Sequence, residues 1–211
     1  MTGHNDRTRL TREDWLAAAR SALVTDGVEH VRVAVLADRL MVARSSFYWY
    51  FADRDELLAA LLDAWEQHNT ASLVEHCERP SDSITEAMYA VFECWADPQL
   101  FDVGLEFAIR EWARRDPVVR GRVAAADAVR LSAIAALHRR HGYSRAEADV
   151  RARVQYHSQI GLYALGVEES HDERLRLVAG YVKVFTGVEP APAETRRFAE
   201  WVRALETRST T

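Results

Sequence analysis

Chain breakers are scarce: nine glycines and five prolines are spread over 211 residues. That is too few turns for a many-stranded sandwich or barrel. The two cysteines, Cys77 and Cys94, form no CxxC pair, which argues against a disulfide scaffold or a zinc ribbon and fits a reducing cytoplasm. No charged leader with an apolar core opens the chain, and no apolar run reaches about 18 residues, so neither secretion nor a membrane span is expected. Lysine is nearly missing, with Lys183 alone beside 26 arginines. The net charge of −5 excludes a strongly basic coat protein for nucleic acid and a polybasic membrane binder. Also lacking are HExxH, GxGxxG, a P-loop and GxSxG, so no catalytic residue, metal site or cofactor is expected. His68, His76 and Cys77 lie near one another in sequence without ligand spacing, and the histidines are expected to be surface residues.

What is there is helical periodicity in a chain that is 48% hydrophobic, and it predicts an all-α fold of nine or ten helices. Thr11 with Asp14 caps a first helix that buries Trp15, Leu16, Ala19, Ala22 and Leu23 and stops at Gly27. Short helices are predicted over Val33–Leu40 and Ala43–Tyr50. Asp53 with Glu56 then opens a long helix running to about His76. Capping boxes at Ser83/Glu86 and Ser144/Glu147 and the Asp116-Pro117 pair mark later starts. Helices are read over about 83–95, 100–115, 117–141, 145–168, 171–185 and 193–206. His138 and His141, in the cluster closing the 117–141 helix, are expected to interact with its dipole.

Gly27–Leu58 is the most informative stretch. Two short helices separated by a tight turn, followed at once by a long one, suit a second helix exposed enough to enter a major groove. Leu36, Ala37 and Leu40 supply the inner face of the first, while Phe47 and Phe51 anchor the second. Arg44, Ser45, Ser46, Tyr48, Trp49 and Tyr50 are left for its outer face.

The run Leu36-Ala37-Asp38-Arg39-Leu40, then Val42, Arg44–Tyr48 and Phe51–Leu58, resembles the N-terminal helix-turn-helix of the TetR (tetracycline-repressor) family of bacterial regulators. The likeness covers about residues 11–58. It implies a three-helix DNA-binding domain over 1–54, joined by the long helix of about 54–76 to a larger helical domain over 55–211 for effector binding and dimerisation. It departs at Met41, where the family usually has Gly and the backbone is expected to need a positive φ. It departs again at Ala43, which replaces a capping Ser or Thr, at Arg32 in place of Thr, and at Tyr50 in place of His.

Read with that resemblance, the chain is expected to be a transcriptional regulator, a repressor that binds a palindromic operator in double-stranded DNA as a homodimer and is released by a small molecule, apolar or aromatic. It would be cytoplasmic and nucleoid-associated when operator-bound. Two alternatives stay open: a regulator answering to a protein partner, and an all-α enzyme or carrier with a silent head. The DNA-contacting set is Arg32, Arg44, Ser45, Ser46, Tyr48, Trp49, Tyr50 and Arg54, the last at a helix N-terminus where a phosphate would sit. Arg44 can bond guanine bidentately or hold a phosphate. Arg7, Arg9 and Arg12 form a basic arm.

For the effector, the aromatics Phe92, Trp95, Phe101, Phe107, Trp112, Tyr156 and Tyr163 are candidates, with Cys94, Glu106 and His157 as polar groups on apolar faces. For the dimer, Ile160, Gly161 and Ala164 allow close approach, and Val178, Tyr181, Val182 and Phe185 supply apolar area. Residues 1–54 hold eight Arg against seven acids, net +1, while 55–211 are net −6. A near-neutral head predicts a shallow salt dependence, with specificity carried by few contacts.

Overall fold

The structure, a computed structural model, describes residues 10–167 and 170–209. These form ten α-helices with two 3-10 segments and one π turn, and no strand among the described residues. The helices are α1 (Arg12–Asp26), α2 (Val33–Arg39), α3 (Arg54–Trp65), α4 (Ala71–Glu78), α5 (Ile84–Ala96), α6 (Val103–Ala113), α7 (Pro117–Arg140), α8 (Arg145–Ala164), α9 (His171–Thr186) and α10 (Pro192–Ser209). They fall into two compact units, one holding the chain up to Trp65 with Gly104–Val119, the other Glu66–Val103 with Arg120 onward. These limits differ from the expected division at 54/55. The leucine stripe of α3, with Leu57 and Leu61 buried, goes with the first unit, where α3 packs on α1.

Local chemistry sets the helix starts. Thr11 accepts from the Asp14 N–H and the Asp14 carboxylate accepts from the Thr11 N–H, closing a capping box. Ser170 and Glu173 close another ahead of α9, one that the sequence reading passed over. At Ser83 and Ser144 only half of the box forms: each hydroxyl accepts from the N3 N–H, but Glu86 accepts from the Asp82 N–H and Glu147 from Arg151. Asp116 Oδ1 takes the N–H groups of Val118 and Val119, as the Asp-Pro start predicts.

Two expected helices come out differently. The long helix of about 54–76 breaks into α3, a π turn over Glu66–Thr70, and α4. The turn places Asn69 where it exchanges two hydrogen bonds with the Asp102 backbone: Asp102 N–H donates to Oδ1 at 2.9 Å, and Nδ2 donates to the Asp102 carbonyl at 3.1 Å. Asn69 is fully buried, and those bonds offset the cost of burying its amide. The second, expected over Ala43–Tyr50 and the candidate reading segment, is a 3-10 helix over Arg44–Trp49. Ala43 gives it no side-chain cap.

The second unit has two apolar clusters. One gathers Leu73, Val91, Phe101, Ile134 and Tyr156. The other gathers Met88, Tyr89, Val182, Phe185, Phe198 and Val202 from α5, α9 and α10. Against the first cluster Arg130 is wholly buried: Nε donates to Thr70 Oγ1 at 2.9 Å, Nη1 donates to the Tyr156 hydroxyl at 3.1 Å, and the guanidinium lies over the Phe101 ring. The Tyr156 O–H donates onward to Asp127 Oδ1 at 2.6 Å. His138, expected as a dipole-facing cation, is instead fully buried edge-on against Tyr143. Burial disfavours the imidazolium more than the helix end favours it, and its pKa falls to about 4. His141 is also pushed down, by burial first and then by Arg140, and its Nε2 bonds with Ser81 Oγ.

Met41 and Gly142 provide an internal comparison. After α2, the Val42 N–H reaches the Ala37 carbonyl and the Met41 N–H reaches the Asp38 carbonyl. After α7, the Tyr143 N–H reaches His138 and the Gly142 N–H reaches Arg139 in the same pattern. Gly142 meets the left-handed requirement with φ 89°, whereas Met41 meets it with φ 54° and a side chain 91% exposed. A left-handed L-residue costs about 1–2 kcal/mol, partly offset by glycine's larger unfolded-state entropy. Met41→Gly is therefore expected to stabilise the protein by about 1 kcal/mol, read as a higher urea midpoint at unchanged slope. For His138, a folded pKa below the unfolded value of about 6.5 means full stability above pH 6.5, lost as pH falls toward 4. The loss attributable to this group reaches about 3 kcal/mol at pH 4. Denaturation of the His138→Leu variant across that window is expected to show a correspondingly flatter pH dependence.

Candidate nucleic-acid interface and ligand cavity

In the first unit the 3-10 segment is held by Phe47, which is fully buried. Its ring meets Trp15 edge-on with centroids 5.3 Å apart and stacks on Phe51 at 5.5 Å. With that face turned in, Arg44, Ser45, Tyr48 and Trp49 are exposed, Tyr48 by 63% and Trp49 by 81%. Arg32, at the N-cap of α2, is exposed as well and gives that helix no side-chain cap. The outer surface therefore offers two guanidinium groups, hydroxyls and aromatic faces. These groups can bond phosphates and base edges and pack on thymine methyls.

Three members of the expected set are committed elsewhere. Arg54 Nε donates to the Val31 carbonyl at 2.6 Å and Nη2 to the Val28 carbonyl at 2.8 Å, tying the start of α3 to the loop before α2. Its side chain acts as an internal brace where a phosphate contact was expected, bonding the carbonyl of Val28, which also accepts the Val31 N–H, and that of Val31, which caps the short 3-10 turn. The Tyr50 hydroxyl donates to the Leu10 carbonyl, and the Ser46 hydroxyl donates back to the Ala43 carbonyl. Arg12, read as part of a basic arm, lies with its guanidinium 4.7 Å from the centre of the Phe51 ring. Arg7 and Arg9 lie outside the described residues.

The second unit contains a cavity of about 180 Å³ between α5, α8, α9 and α10. Phe92, Trp95 and Tyr163, all candidates from the sequence, line it. The other candidates do not. Phe101 is buried and stacked on Tyr163, and Tyr156 belongs to the Arg130 network. Cys94 is buried in the core, which pushes its thiol up to about 12. His157 is exposed beside Tyr156. Glu106, Phe107 and Trp112 sit in the first unit, where Glu106 is fully buried and its carboxylate accepts from Trp65 Nε1 at 2.7 Å and from Arg110 Nε at 2.9 Å.

The cavity's remaining wall comes from residues given another role or none in the sequence reading. Val178, Tyr181 and Phe185, expected at a dimer interface, line it, and Val182 is fully buried in the adjoining cluster. They form a single stripe on α9, which at helical spacing faces α5 and α10. Arg174 heads that stripe at i−4 from Val178, a spacing readable from the sequence alone. Ile160 and Gly161 are half-buried and Ala164 is exposed.

Among the described residues no group of three His, Cys, Asp or Glu is placed to hold a metal ion, and no helix is long and apolar enough to cross a membrane. Residues 16–61 match the sequence model of the family described as bacterial regulatory proteins, tetR family. An HTH-type transcriptional regulator of Saccharopolyspora erythraea is 38% identical over 55 residues, a stretch covering 26% of this chain and 23% of that protein. The whole fold is similar to that of AmtR from Mycobacterium smegmatis, with a TM-score of 0.59 at 20% identity over 92% of this chain and 95% of that one. A Rhodococcus sp. protein assigned to the TetR family gives 0.60 at 20% over 83% and 98%. GusR of Salmonella enterica gives 0.58 at 13% over 95% and 98%. Residues 16–61 thus match the N-terminal domain of the tetR family of bacterial regulatory proteins, and the fold along the chain is similar to that of these solved structures.

Proposed function

We propose that the protein is a DNA-binding transcriptional regulator that acts as a homodimer on a palindromic operator and releases it on binding a small molecule. The observation carrying this reading is the reading segment, whose Arg44, Ser45, Tyr48 and Trp49 face solvent while Phe47 is locked into the core. One such segment spans few base pairs, so two copies related by a two-fold axis are needed for useful specificity. The second unit offers a surface suited to that pairing. Val150 and Val154 on α8 are exposed, as are Leu177 and Val184 on α9. Exposed and apolar, on two helices that pack together, the two strips suit an isologous four-helix contact. The cavity lined by Phe92 and Trp95 supplies the effector site. An effector favouring one spacing of the two heads over another would shift the population away from the operator-bound state.

Three variants test the reading. Arg44→Ala is expected to leave stability unchanged and weaken operator binding about 10- to 100-fold, read by titration of a labelled operator at fixed salt. Arg54→Met is expected to do the reverse, lowering the urea midpoint through the loss of two hydrogen bonds while changing the affinity of the folded fraction little. Unchanged operator affinity in the Arg44 variant overturns the assignment. Val184→Glu is expected to halve the sedimenting mass at micromolar concentration and to weaken operator binding with it. A dimer that persists moves the interface elsewhere.

A further inference from the structure

The cavity in the second unit is selective in its chemistry. Its wall is mostly hydrocarbon, with Phe92 at the centre of an aromatic group: the ring meets Phe185 at 6.2 Å and 74° and Phe198 at 6.3 Å and 62°. Such edge-to-face arrangements leave ring faces and edges able to receive a further aromatic ring. Phe92 is half-buried, so part of its ring is open. A volume of about 180 Å³ sets the size of the guest, since a dry cavity of about 150 Å³ holds one benzene. One ring with a short substituent fills this space.

Among the described lining residues Arg174 is the one with a formal charge. It stands in the first turn of α9, half-buried, at the head of the Val178, Tyr181 and Phe185 stripe. A guanidinium beside a hydrocarbon cavity is more weakly hydrated than an ammonium would be and presents a planar fork of donors that matches a carboxylate. Ser158 and Gln159 of α8 line the same cavity and add neutral hydrogen-bonding groups. Trp95, also in the wall, has a buried indole N–H with no acceptor among the described residues, which is a cost that a ligand oxygen can offset. Arg174 and the Trp95 N–H favour an anionic or oxygen-bearing guest over a cation.

We infer that the cavity binds a compact aromatic monocarboxylate, with its ring among Phe92, Phe185 and Phe198 and its carboxylate toward Arg174. This rests on the reading of the second unit as an effector domain and names the class of effector.

The test uses the full chain without DNA, titrated with phenylacetate and with its neutral isostere phenylacetamide at fixed ionic strength, followed by calorimetry and by tryptophan fluorescence. The acid is expected to bind at least tenfold more tightly than the amide. In Arg174→Gln, checked for its helical circular dichroism, that preference is expected to vanish, with amide binding unchanged. An amide that binds the natural chain as well as the acid, a preference that survives Arg174→Gln, or no saturation by either compound at millimolar concentration overturns the inference. The acid-to-amide ratio in the natural chain decides the matter even if the variant does not fold. Operator release is measured separately. A chain that binds phenylacetate and keeps its operator fails as a regulator of this kind but not as a carboxylate binder, and a chain that prefers the amide fails only here.

Discussion

Phe47 is wholly buried, edge-on to Trp15 and stacked on Phe51, and every outward group of the reading segment takes its direction from that contact. A six-residue 3-10 helix has poorer hydrogen-bond geometry than an α-helix, and with Ala43 ahead of it there is no side-chain cap to hold its first turn. Burial of one aromatic ring, a matter of a few kcal/mol, is the largest local force available to orient it. Around that anchor the other fastenings are polar and specific: Arg54 on the carbonyls of Val28 and Val31, and Tyr50 on the carbonyl of Leu10. The same ring contact thus sets both the stability of the head and the direction of Arg44, Tyr48 and Trp49.

Away from the head, buried polar groups are the main constraint. Arg130 has no exposure, and its charge is answered by the Asp127 carboxylate at 3.9 Å, by Thr70 and Tyr156, and by the Phe101 ring. Within the first unit, Glu106 is equally enclosed and is answered by Trp65 and Arg110. These groups occupy positions where apolar side chains would pack, and each fixes its neighbours in a single arrangement. Where α5, α8, α9 and α10 meet with a mostly hydrocarbon wall, a cavity remains.

Much of this was legible beforehand. Capping residues depend on atoms within four positions, so Thr11, Ser83, Asp116 and Ser144 marked the helix starts seen in the structure. The positive φ at Met41 was legible because a tight exit from α2 requires it of whatever residue stands there. Other features depended on partners far along the chain. Arg54 carries the charge and helix position of a phosphate ligand, and only the carbonyls twenty-three and twenty-six residues earlier turn it inward. Glu106 beside Phe107 had the pattern of a polar group aimed at a ligand until Trp65, forty-one residues away, took its oxygen. His138 looked like a helix-end cation, but burial against Tyr143 made it neutral.

The sequence by itself determined most of the helix starts and the place of the short segment that Phe47 anchors, because these rest on period, spacing and short-range hydrogen bonds. It also placed the positive balance of charge in the first 54 residues of an acidic chain. Tertiary structure decided which face of each helix was used. The stripe Arg174, Val178, Tyr181 and Phe185 serves equally well, by its spacing, as an interface between copies or as a cavity wall. Packing of α9 against α5 and α10 selects the second and leaves Leu177 and Val184 outside. An amphipathic pattern records that a face is buried but not against what, and that choice is made by the shapes of segments distant in the chain.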